Sequence, residues 1–203
     1  MNKHLFLEGQ VQAGKSTLIR KCLEPYIDIV GGFSSQRIRG KDDRILGYRL
    51  VPAEDFLLDT DDAPDISGVF LYHNKDINKK DPRVFETLGV DLLSPTQNKQ
   101  LILLDEIGGS ELLVPEFKSE LYDVLGGDIP CIGVIKLNSK AKFMSDTAGY
   151  PGKVVEANAR LRQDLTDKFN ARIINFDKDS AKIAEQEIKE FLEKNICELD
   201  EPV

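Results

Sequence analysis

The sequence predicts an α/β fold: a three-layer sandwich with a mainly parallel central sheet and an inserted β-hairpin. Two observations lead to this prediction. Short apolar runs, the length of buried strands, alternate along the chain with segments in which apolar residues recur at helical spacing. A glycine-rich loop also follows the first apolar run, and two acidic residues follow a later one. Because functional sites in open α/β sheets lie beyond the carboxyl ends of the strands, we expect both features on one edge of the sheet.

The composition is that of an ordinary globular protein, and it narrows the classes of partner. The chain has 203 residues, of which 41% are hydrophobic and 31% charged, with a formal net charge of −8. This charge argues against broad binding to nucleic acids or anionic membranes, although a local basic patch is compatible with it. The apolar runs are too short for a membrane span or a secretory signal. We therefore predict one cytoplasmic domain over residues 1–203.

The cysteines and histidines indicate neither a disulfide framework nor a metal site of their own. The chain has three cysteines and two histidines, all far apart: Cys22, Cys131, Cys197, His4 and His73. Their spacing matches no zinc or disulfide pattern, so we expect the cysteines to be small apolar core residues in a reducing compartment.

Residues 9–17 read GQVQAGKST and match the phosphate-loop pattern G-x-x-x-x-G-K-[ST]. The apolar run Leu5–Leu7 precedes the loop as a predicted strand, and Ser16–Leu23 follows it as a predicted helix. Loop amides and the helix amino terminus attract phosphate, and Lys15 is expected to reach the terminal phosphates as a catalytic charge. The Ser16 hydroxyl is expected to ligate Mg²⁺. The predicted nucleotide-binding residues are Gly9, Gln10, Val11, Gln12, Ala13, Gly14, Lys15, Ser16 and Thr17.

The second informative stretch is the apolar run Leu101–Leu104, which ends in Asp105 and Glu106. An apolar strand that presents an acid at its carboxyl end is the Walker B arrangement of P-loop NTPases, so the sandwich is predicted to be of that class. Asp105 is expected to hold Mg²⁺ on the side of Ser16. Glu106 is the candidate catalytic base for an attacking water molecule. The alternative interpretation is an acidic helix cap at a strand end.

Between these two stretches the pattern predicts a hairpin insertion over about residues 33–51 and an irregular insertion over about 53–81. A strand at Tyr26–Val30 is expected before the hairpin, and a short strand at Val69–Tyr72 inside the irregular part. The acidic segment Asp59–Asp65 shows no ordered ligand spacing, and we interpret it as solvated surface instead of a Mg²⁺ site.

The remaining segments predict further helices and strands of the sandwich. The predicted helices are Asp81–Leu93, Val114–Leu125, Asn158–Asn170 and Ser180–Lys194, and the predicted strands are Pro130–Leu137 and Arg172–Phe176. Ser180 is expected to cap the last helix, whose Ile183, Ile188, Phe191 and Leu192 are expected to face inward. Residues 198–203 are expected to form a frayed tail.

One apparent motif is rejected. Residues 78–81 read NKKD and match the guanine-binding pattern N-K-x-D, but they precede the DEIG segment at 105–108, which is the reverse of the order in small GTPases. We interpret Asn78–Asp81 as a polar turn that caps the next helix. The preferred base therefore stays open.

With these motifs, the chain resembles the THEP1 family of small P-loop nucleoside-triphosphatases. The resemblance rests on four segments in the family's order: GQVQAGKSTLIRKCL, GGFSSQRIR, RILGYRLV and LILLDEIGGSELL. It covers the chain to about Leu137. Ser34–Ser35 and Gly109–Ser110 differ from the residues that the family usually has there.

The resemblance implies slow, Mg²⁺-dependent hydrolysis of ATP, GTP and other nucleoside triphosphates to the diphosphate. It also implies a supporting role for Glu111 and a catalytic role for Arg39, which matches the arginine that closes the family's G-F segment. An arginine near the γ-phosphate would neutralise charge that develops during transfer. Arg37 and Arg44 are the alternatives for that role.

The residues leave two other functions open. One is a kinase that transfers the γ-phosphoryl group to a nucleoside, nucleotide or other small molecule, with Tyr48, Arg49 and the acidic segment lining an acceptor pocket. The other is a regulatory ATP-binding module whose turnover switches a partner. The predicted ligands are a nucleoside triphosphate and Mg²⁺, and the sequence indicates no particular protein partner.

Overall fold

The computed structural model describes residues 2–40, 42, 44–57, 68–74, 77–94, 98–137 and 152–196. Within this part of the chain, eight strands form one sheet in the order β5-β4-β3-β2-β6-β7-β1-β8. The strands are β1 (His4–Glu8), β2 (Val30–Arg39), β3 (Ile45–Pro52), β4 (Val69–Asn74), β5 (Ile77–Lys80), β6 (Leu101–Ile107), β7 (Cys131–Ile135) and β8 (Ala171–Asn175).

The sheet has a parallel part and an antiparallel part. Strands β2, β6, β7, β1 and β8 run parallel to one another, whereas β3, β4 and β5 add antiparallel pairs at the β2 edge. Strand β7 lies between β1 and β6, so the strand before the glycine-rich loop and the strand with the paired acids are not direct neighbours. Both of these strands point their carboxyl ends to the same edge of the sheet, as predicted.

Six α-helices are assigned within the described residues. They are α1 (Lys15–Leu23), α2 (Ala53–Leu57), α3 (Val90–Leu93), α4 (Pro115–Gly126), α5 (Lys153–Asp167) and α6 (Ala181–Asn195). A π-helical turn, Phe85–Gly89, leads into α3. The alternation of side chains along β1 divides the core, because Leu5 and Leu7 pack with α1 and α6 while Phe6 packs with α4 and α5. The predicted three-layer sandwich is confirmed.

The predicted strand at Tyr26–Val30 is wrong. Residues Glu24–Ile29 form a 3₁₀-helix with Pro25 in its first turn, and β2 begins at Val30. The strand then continues through Gly32, whose φ of +91° and close approach to the Leu103 carbonyl leave no room for a side chain. Strand β2 pairs with β6 over Val30–Phe33 and with β3 over Phe33–Arg39. The hairpin is therefore a continuation of a central strand, not a separate element.

The interpretation of Asn78–Asp81 as a polar turn is also wrong. Residues Ile77–Lys80 form the edge strand β5, which pairs with β4 from Asn74↔Ile77 to Leu71↔Lys80. Lysines are common on edge strands, where their charge opposes pairing with other chains. Pairing with the sheet therefore outweighs the local preference of these polar residues for a turn. Only Asp81 behaves as predicted, because its side chain accepts a hydrogen bond from the Arg83 amide at the start of the helical segment.

Two details of the last helix differ from the prediction. Ile183 is 64% exposed, and the buried face of α6 is formed by Ala184, Ile188, Phe191 and Leu192. Ser180 occupies the N-cap position, but its hydroxyl donates to the Asp177 carbonyl and makes no bond to the helix. Ile188, Phe191 and Leu192 face inward as predicted. Ile183 does not, because it lies five residues before Ile188, whereas Ala184 lies four residues before it, on the same face of the helix.

Several predictions fall on parts of the chain outside the described residues. These are the acidic segment 59–65, the tail 198–203 and Cys197. Cys22 and Cys131 are buried in the core with free thiols, as predicted. No helix in the described ranges is both long and apolar enough to cross a membrane. The assignment of a single domain stays a prediction.

Candidate active site

The loop between β1 and α1 is shaped by its glycines and by close contact with the end of β8. Gly9 has a φ of +152°, and a Cβ atom there would lie 2.1 Å from the carbonyl oxygen of Phe176. The Phe176 amide donates to the Glu8 carbonyl at 2.7 Å, which fixes the start of the loop against the neighbouring strand. Gly14 has a φ of +99° and directly precedes α1. The backbone conformation at both positions favours glycine.

Lys15 lies folded over this loop. Only 8% of the residue is exposed, and its ammonium group donates to the carbonyl oxygens of Gly9 (2.9 Å) and Gln10 (2.6 Å). Burial lowers the pKa of Lys15, the negative charges of Glu106 and Asp105 oppose this shift, and the positive charge of Arg37 adds to it. The ammonium group therefore shares one electrostatic environment with both predicted acids.

Asp105 is buried, and both of its carboxylate oxygens accept hydrogen bonds from serine hydroxyls. Ser16 donates to Oδ1 at 2.9 Å, and Ser34 donates to Oδ2 at 2.6 Å. Burial and the neighbouring charge of Glu106 raise the pKa of Asp105 to about 6, although both serine hydrogen bonds oppose that shift. A buried carboxylate beside a hydroxyl is a set of hard oxygen donors, which fits Mg²⁺.

Glu106 occupies a bulge in β6. Between Leu104↔Gly133 and Ile107↔Ile135 the strand gains one residue over β7, and Glu106 has a φ of +66°. A non-glycine residue in the left-handed region is uncommon, and bulges near active sites redirect side chains. The bulge places Glu106 where its charge acts on both Lys15 and Asp105.

The segment after β6 is tied to β7 and α5 by buried polar groups. Lys136, which follows β7, donates to the carbonyl of Glu106, and its ammonium lies 3.9 Å from Oε2 of Glu111. Glu111 accepts a 2.6 Å hydrogen bond from the Gly109 amide. Asn158 of α5 donates to the carbonyls of Gly108 (2.7 Å) and Lys136 (3.1 Å). These bonds hold the carboxyl end of β6 in one conformation.

Comparison of the sequence with known families agrees with the glycine-rich loop and the Ser16–Asp105 contact. The family model described as NTPase matches residues 4–169. A curated relative, nucleoside-triphosphatase THEP1 of Thermotoga maritima, is 32% identical over 175 residues, which cover 82% of this chain and 96% of the relative. The chain belongs to the THEP1-type nucleoside-triphosphatase family.

A further curated relative and two solved structures are also similar to this THEP1-type chain. The THEP1 nucleoside-triphosphatase of Methanocaldococcus jannaschii is 24% identical over 82% of this chain and 97% of its own. The solution structure of a human cancer-related nucleoside triphosphatase covers 96% of this chain and 100% of its own, with a TM-score of 0.61 and 19% identity. The crystal structure of THEP1 from Aquifex aeolicus covers 94% of this chain and 99% of its own, with a TM-score of 0.60 and 17% identity. These two structures share the fold.

The three candidate arginines of this THEP1-type chain occupy different surroundings. Arg37 is half-buried in β2, and its positive charge contributes to the lowered pKa of Lys15. Arg39 is exposed at the end of β2, beyond a register shift in its pairing with β3. Arg44 is exposed and pairs with Asp42. The catalytic role of Arg39 stays a prediction from the resemblance, whereas the structure places Arg37 in electrostatic range of the phosphate loop.

Sequence reasoning missed three polar residues of this site. Ser34, Lys136 and Asn158 contact the two acids or the segment that follows them. A polar residue directly after a buried strand, as at Lys136, is a signal that could have been used. Ser34 and Asn158 are fully buried in the fold, and nothing in their local sequence distinguishes them from surface residues.

Proposed function

We propose that the chain catalyses the Mg²⁺-dependent hydrolysis of nucleoside triphosphates, including ATP and GTP, to the diphosphate and phosphate. The observation that supports this most directly is the 2.9 Å hydrogen bond between Ser16 of the phosphate loop and Asp105 of β6. It joins the two motifs of a P-loop NTPase, 89 residues apart in the sequence, at the amino terminus of α1. The curated relatives are nucleoside-triphosphatases of the THEP1 type, which supports the same reaction.

The phosphate groups would bind the loop residues 9–14 together with Lys15, Ser16 and Thr17. Backbone amides at the start of α1 and the positive end of the helix dipole would stabilise the polyphosphate. Lys15 is now bonded to two loop carbonyls, and a phosphate would replace them as its acceptor. The buried ammonium group would therefore keep a hydrogen-bond acceptor when the two carbonyls are replaced.

Ser16 and Asp105 would hold Mg²⁺ together with phosphate oxygens. Within the described residues, no group of three or more His, Cys, Asp or Glu side chains could hold a metal ion without the nucleotide. A cation held by two protein groups and the substrate is typical of Mg²⁺ sites for nucleotides. When bound, Mg²⁺ neutralises charge on the β- and γ-phosphate oxygens.

Glu106 would act as the base. Its carboxylate would accept a proton from a water molecule while the water oxygen bonds to the γ-phosphorus. The bond from phosphorus to the bridging oxygen breaks, and its electron pair remains on the diphosphate. Arg37 or Arg39 would neutralise the charge that develops on the γ-phosphoryl group. The surroundings of Lys15 favour Arg37 for this role.

Two of the residues that were expected to line a kinase acceptor pocket have contacts within the sheet, whereas the acidic segment 59–65 lies outside the described residues. Tyr48 stacks on Phe70 at a centroid distance of 6.4 Å, and Arg49 donates to Oε1 of Gln36 at 2.7 Å. Both side chains therefore stabilise the antiparallel edge of the sheet.

The reaction is tested by phosphate release from purified protein with Mg²⁺-ATP or Mg²⁺-GTP and no added acceptor. We expect steady release of one phosphate per diphosphate formed, and loss of release when EDTA removes the cation. Lys15→Ala should abolish turnover, whereas Lys182→Ala, on the exposed side of α6, should not change it. Release that requires an added acceptor would instead indicate a kinase, and release that requires a second protein would indicate a regulatory module.

A further inference from the structure

We infer that Lys136 is a positioning residue that holds the bulge at Glu106 and thereby aims the carboxylate of this residue. The inference rests on the proposed function, because Glu106 is the base proposed above. Lys136 directly follows β7, the strand that lies between β1 and β6. It therefore stands at the carboxyl edge of the sheet, between the phosphate loop and the paired acids.

Lys136 contacts both sides of the bulge. Its backbone amide donates to the Ile107 carbonyl at 2.8 Å, and its ammonium group donates to the Glu106 carbonyl. One residue thus satisfies two successive carbonyls of β6 at the point where the pairing with β7 shifts. A bulge leaves one residue unpaired, and the ammonium group supplies the missing donor.

The conformation of Glu106 needs this support. Its φ of +66° lies in the left-handed region, which is unfavourable for a residue with a side chain. Such conformations persist where the surroundings determine them strongly. The following Gly108 also has a positive φ, of +103°, so the chain turns twice directly after Asp105. A charged donor on the Glu106 carbonyl opposes a return of the backbone to the extended conformation.

Lys136 is itself held in place. Its side chain is only 16% exposed, and its ammonium lies 3.9 Å from Oε2 of Glu111, whose side chain is 5% exposed. Asn158 donates to the Lys136 carbonyl at 3.1 Å. Gly109 leaves the space that the ammonium occupies, because a Cβ atom at this position would lie 3.2 Å from it. The lysine is therefore fixed at both its backbone and its charged end.

A double-mutant cycle tests the inference. Lys136→Met removes the donor and keeps most of the stem, so it should lower kcat by about 10- to 100-fold, the usual cost of misplacing a reacting group. The KM for the Mg²⁺-nucleotide should change less than about threefold, because the phosphate loop is intact. In a Glu106→Gln background, where no base remains to be aimed, Lys136→Met should lower the residual kcat less than about twofold.

Lys99→Met is the matched control, because Lys99 also donates to a backbone carbonyl, that of Asp28 (3.0 Å), but away from the site. It should leave kcat unchanged in both backgrounds. If thermal unfolding shows that Lys136→Met does not fold, Lys136→Gln takes its place. The glutamine amide is polar but one atom too short to reach the carbonyl, so the same pattern is expected.

If Glu106→Gln loses its rate as expected, the proposed base stands, and two results would then overturn only the role inferred for Lys136. One is a kcat of Lys136→Met within twofold of the parent protein. The other is an equal loss in both backgrounds, which would mean that Lys136 acts independently of Glu106. Full activity of Glu106→Gln would be a different result, since it would overturn the proposed base and the inference with it.

Discussion

Ser34 donates a 2.6 Å hydrogen bond to Oδ2 of Asp105, the carboxylate whose other oxygen accepts from Ser16. Ser34 lies on β2 and Ser16 on α1, so Asp105 joins a central strand of the sheet to the helix that follows the phosphate loop. With both oxygens occupied, the carboxylate has a single orientation. The Ser16–Asp105 pair therefore depends on a third residue that neither motif contains.

The first prediction concerns this third residue. Ser34→Ala leaves one oxygen of a buried carboxylate without a donor, which should lower the free energy of unfolding by about 1–3 kcal/mol. It should also raise the Mg²⁺ concentration for half-maximal phosphate release, because Asp105 loses its fixed orientation. Denaturant titration and a Mg²⁺ titration of the rate measure the two effects. Ser35→Ala is the control on the opposite face of the same strand, and an equal effect there would contradict the prediction.

The second prediction separates binding from chemistry at the two principal site residues. Glu106→Gln should keep nucleotide affinity and lose about 10²- to 10⁴-fold in kcat, the usual contribution of a positioned base. Lys15→Ala should instead weaken the binding of triphosphate, because the loop loses its buried ammonium group. Calorimetry with a non-hydrolysable nucleotide and single-turnover kinetics distinguish the two. Near-normal hydrolysis by Glu106→Gln would refute its assignment as the base.

The third prediction compares the candidate arginines. The charge of Arg37 acts on Lys15, so Arg37→Ala should lower kcat by about 10- to 100-fold, as expected when a charge that stabilises the transition state is removed. Arg39→Ala should change kcat less than about threefold, because Arg39 is exposed beyond the register shift between β2 and β3. Arg44→Ala serves as the surface control. A larger loss for Arg39→Ala would support the role that the resemblance assigns to it.

The fourth prediction concerns the dependence of stability on pH. His4 is buried, accepts from the Cys131 amide at Nδ1 (2.9 Å), and its Nε2 lies 3.0 Å from the Leu125 carbonyl. Burial is the main cause that lowers the pKa of His4 to about 4, so the unfolded chain binds a proton more readily than the folded one between about pH 4 and 6.5. The contribution of neutral His4 to the free energy of unfolding should therefore be complete above about pH 6.5 and should be lost as the pH falls toward 4.

Urea unfolding at pH 5 and pH 6 measures this effect. In His4→Gln, the slope of the unfolding free energy against pH should be shallower by about 1 kcal/mol per pH unit, because one titrating group is lost. The matched control is His73→Gln, since His73 is exposed on β4. An unchanged slope in His4→Gln would show that the proton-linked loss of stability arises elsewhere.

Local patterns of sequence identified the parts of the site that are continuous along the chain. The spacing of Gly9, Gly14 and Lys15 predicts a phosphate loop because one short segment supplies the glycine conformations, the amides and the charge. The apolar run before Asp105 likewise identifies a buried strand that ends in an acid. The sandwich follows from the alternation of such runs with helical segments, and the structure confirms it.

The tertiary structure alone decided the residues that support these parts. Ser34 of β2 contacts the Asp105 carboxylate, Lys136 after β7 contacts the Glu106 carbonyl, and Asn158 of α5 contacts the Gly108 carbonyl. No local spacing encodes this proximity. The edge strand β5 also depends on tertiary contacts, because its hydrogen bonds to β4 outweigh a local preference for a turn. The sequence by itself determined the chemical groups of the phosphate loop and the paired acids. Contacts between distant segments decided their orientation, because hydrogen bonds and packing depend on distance in space.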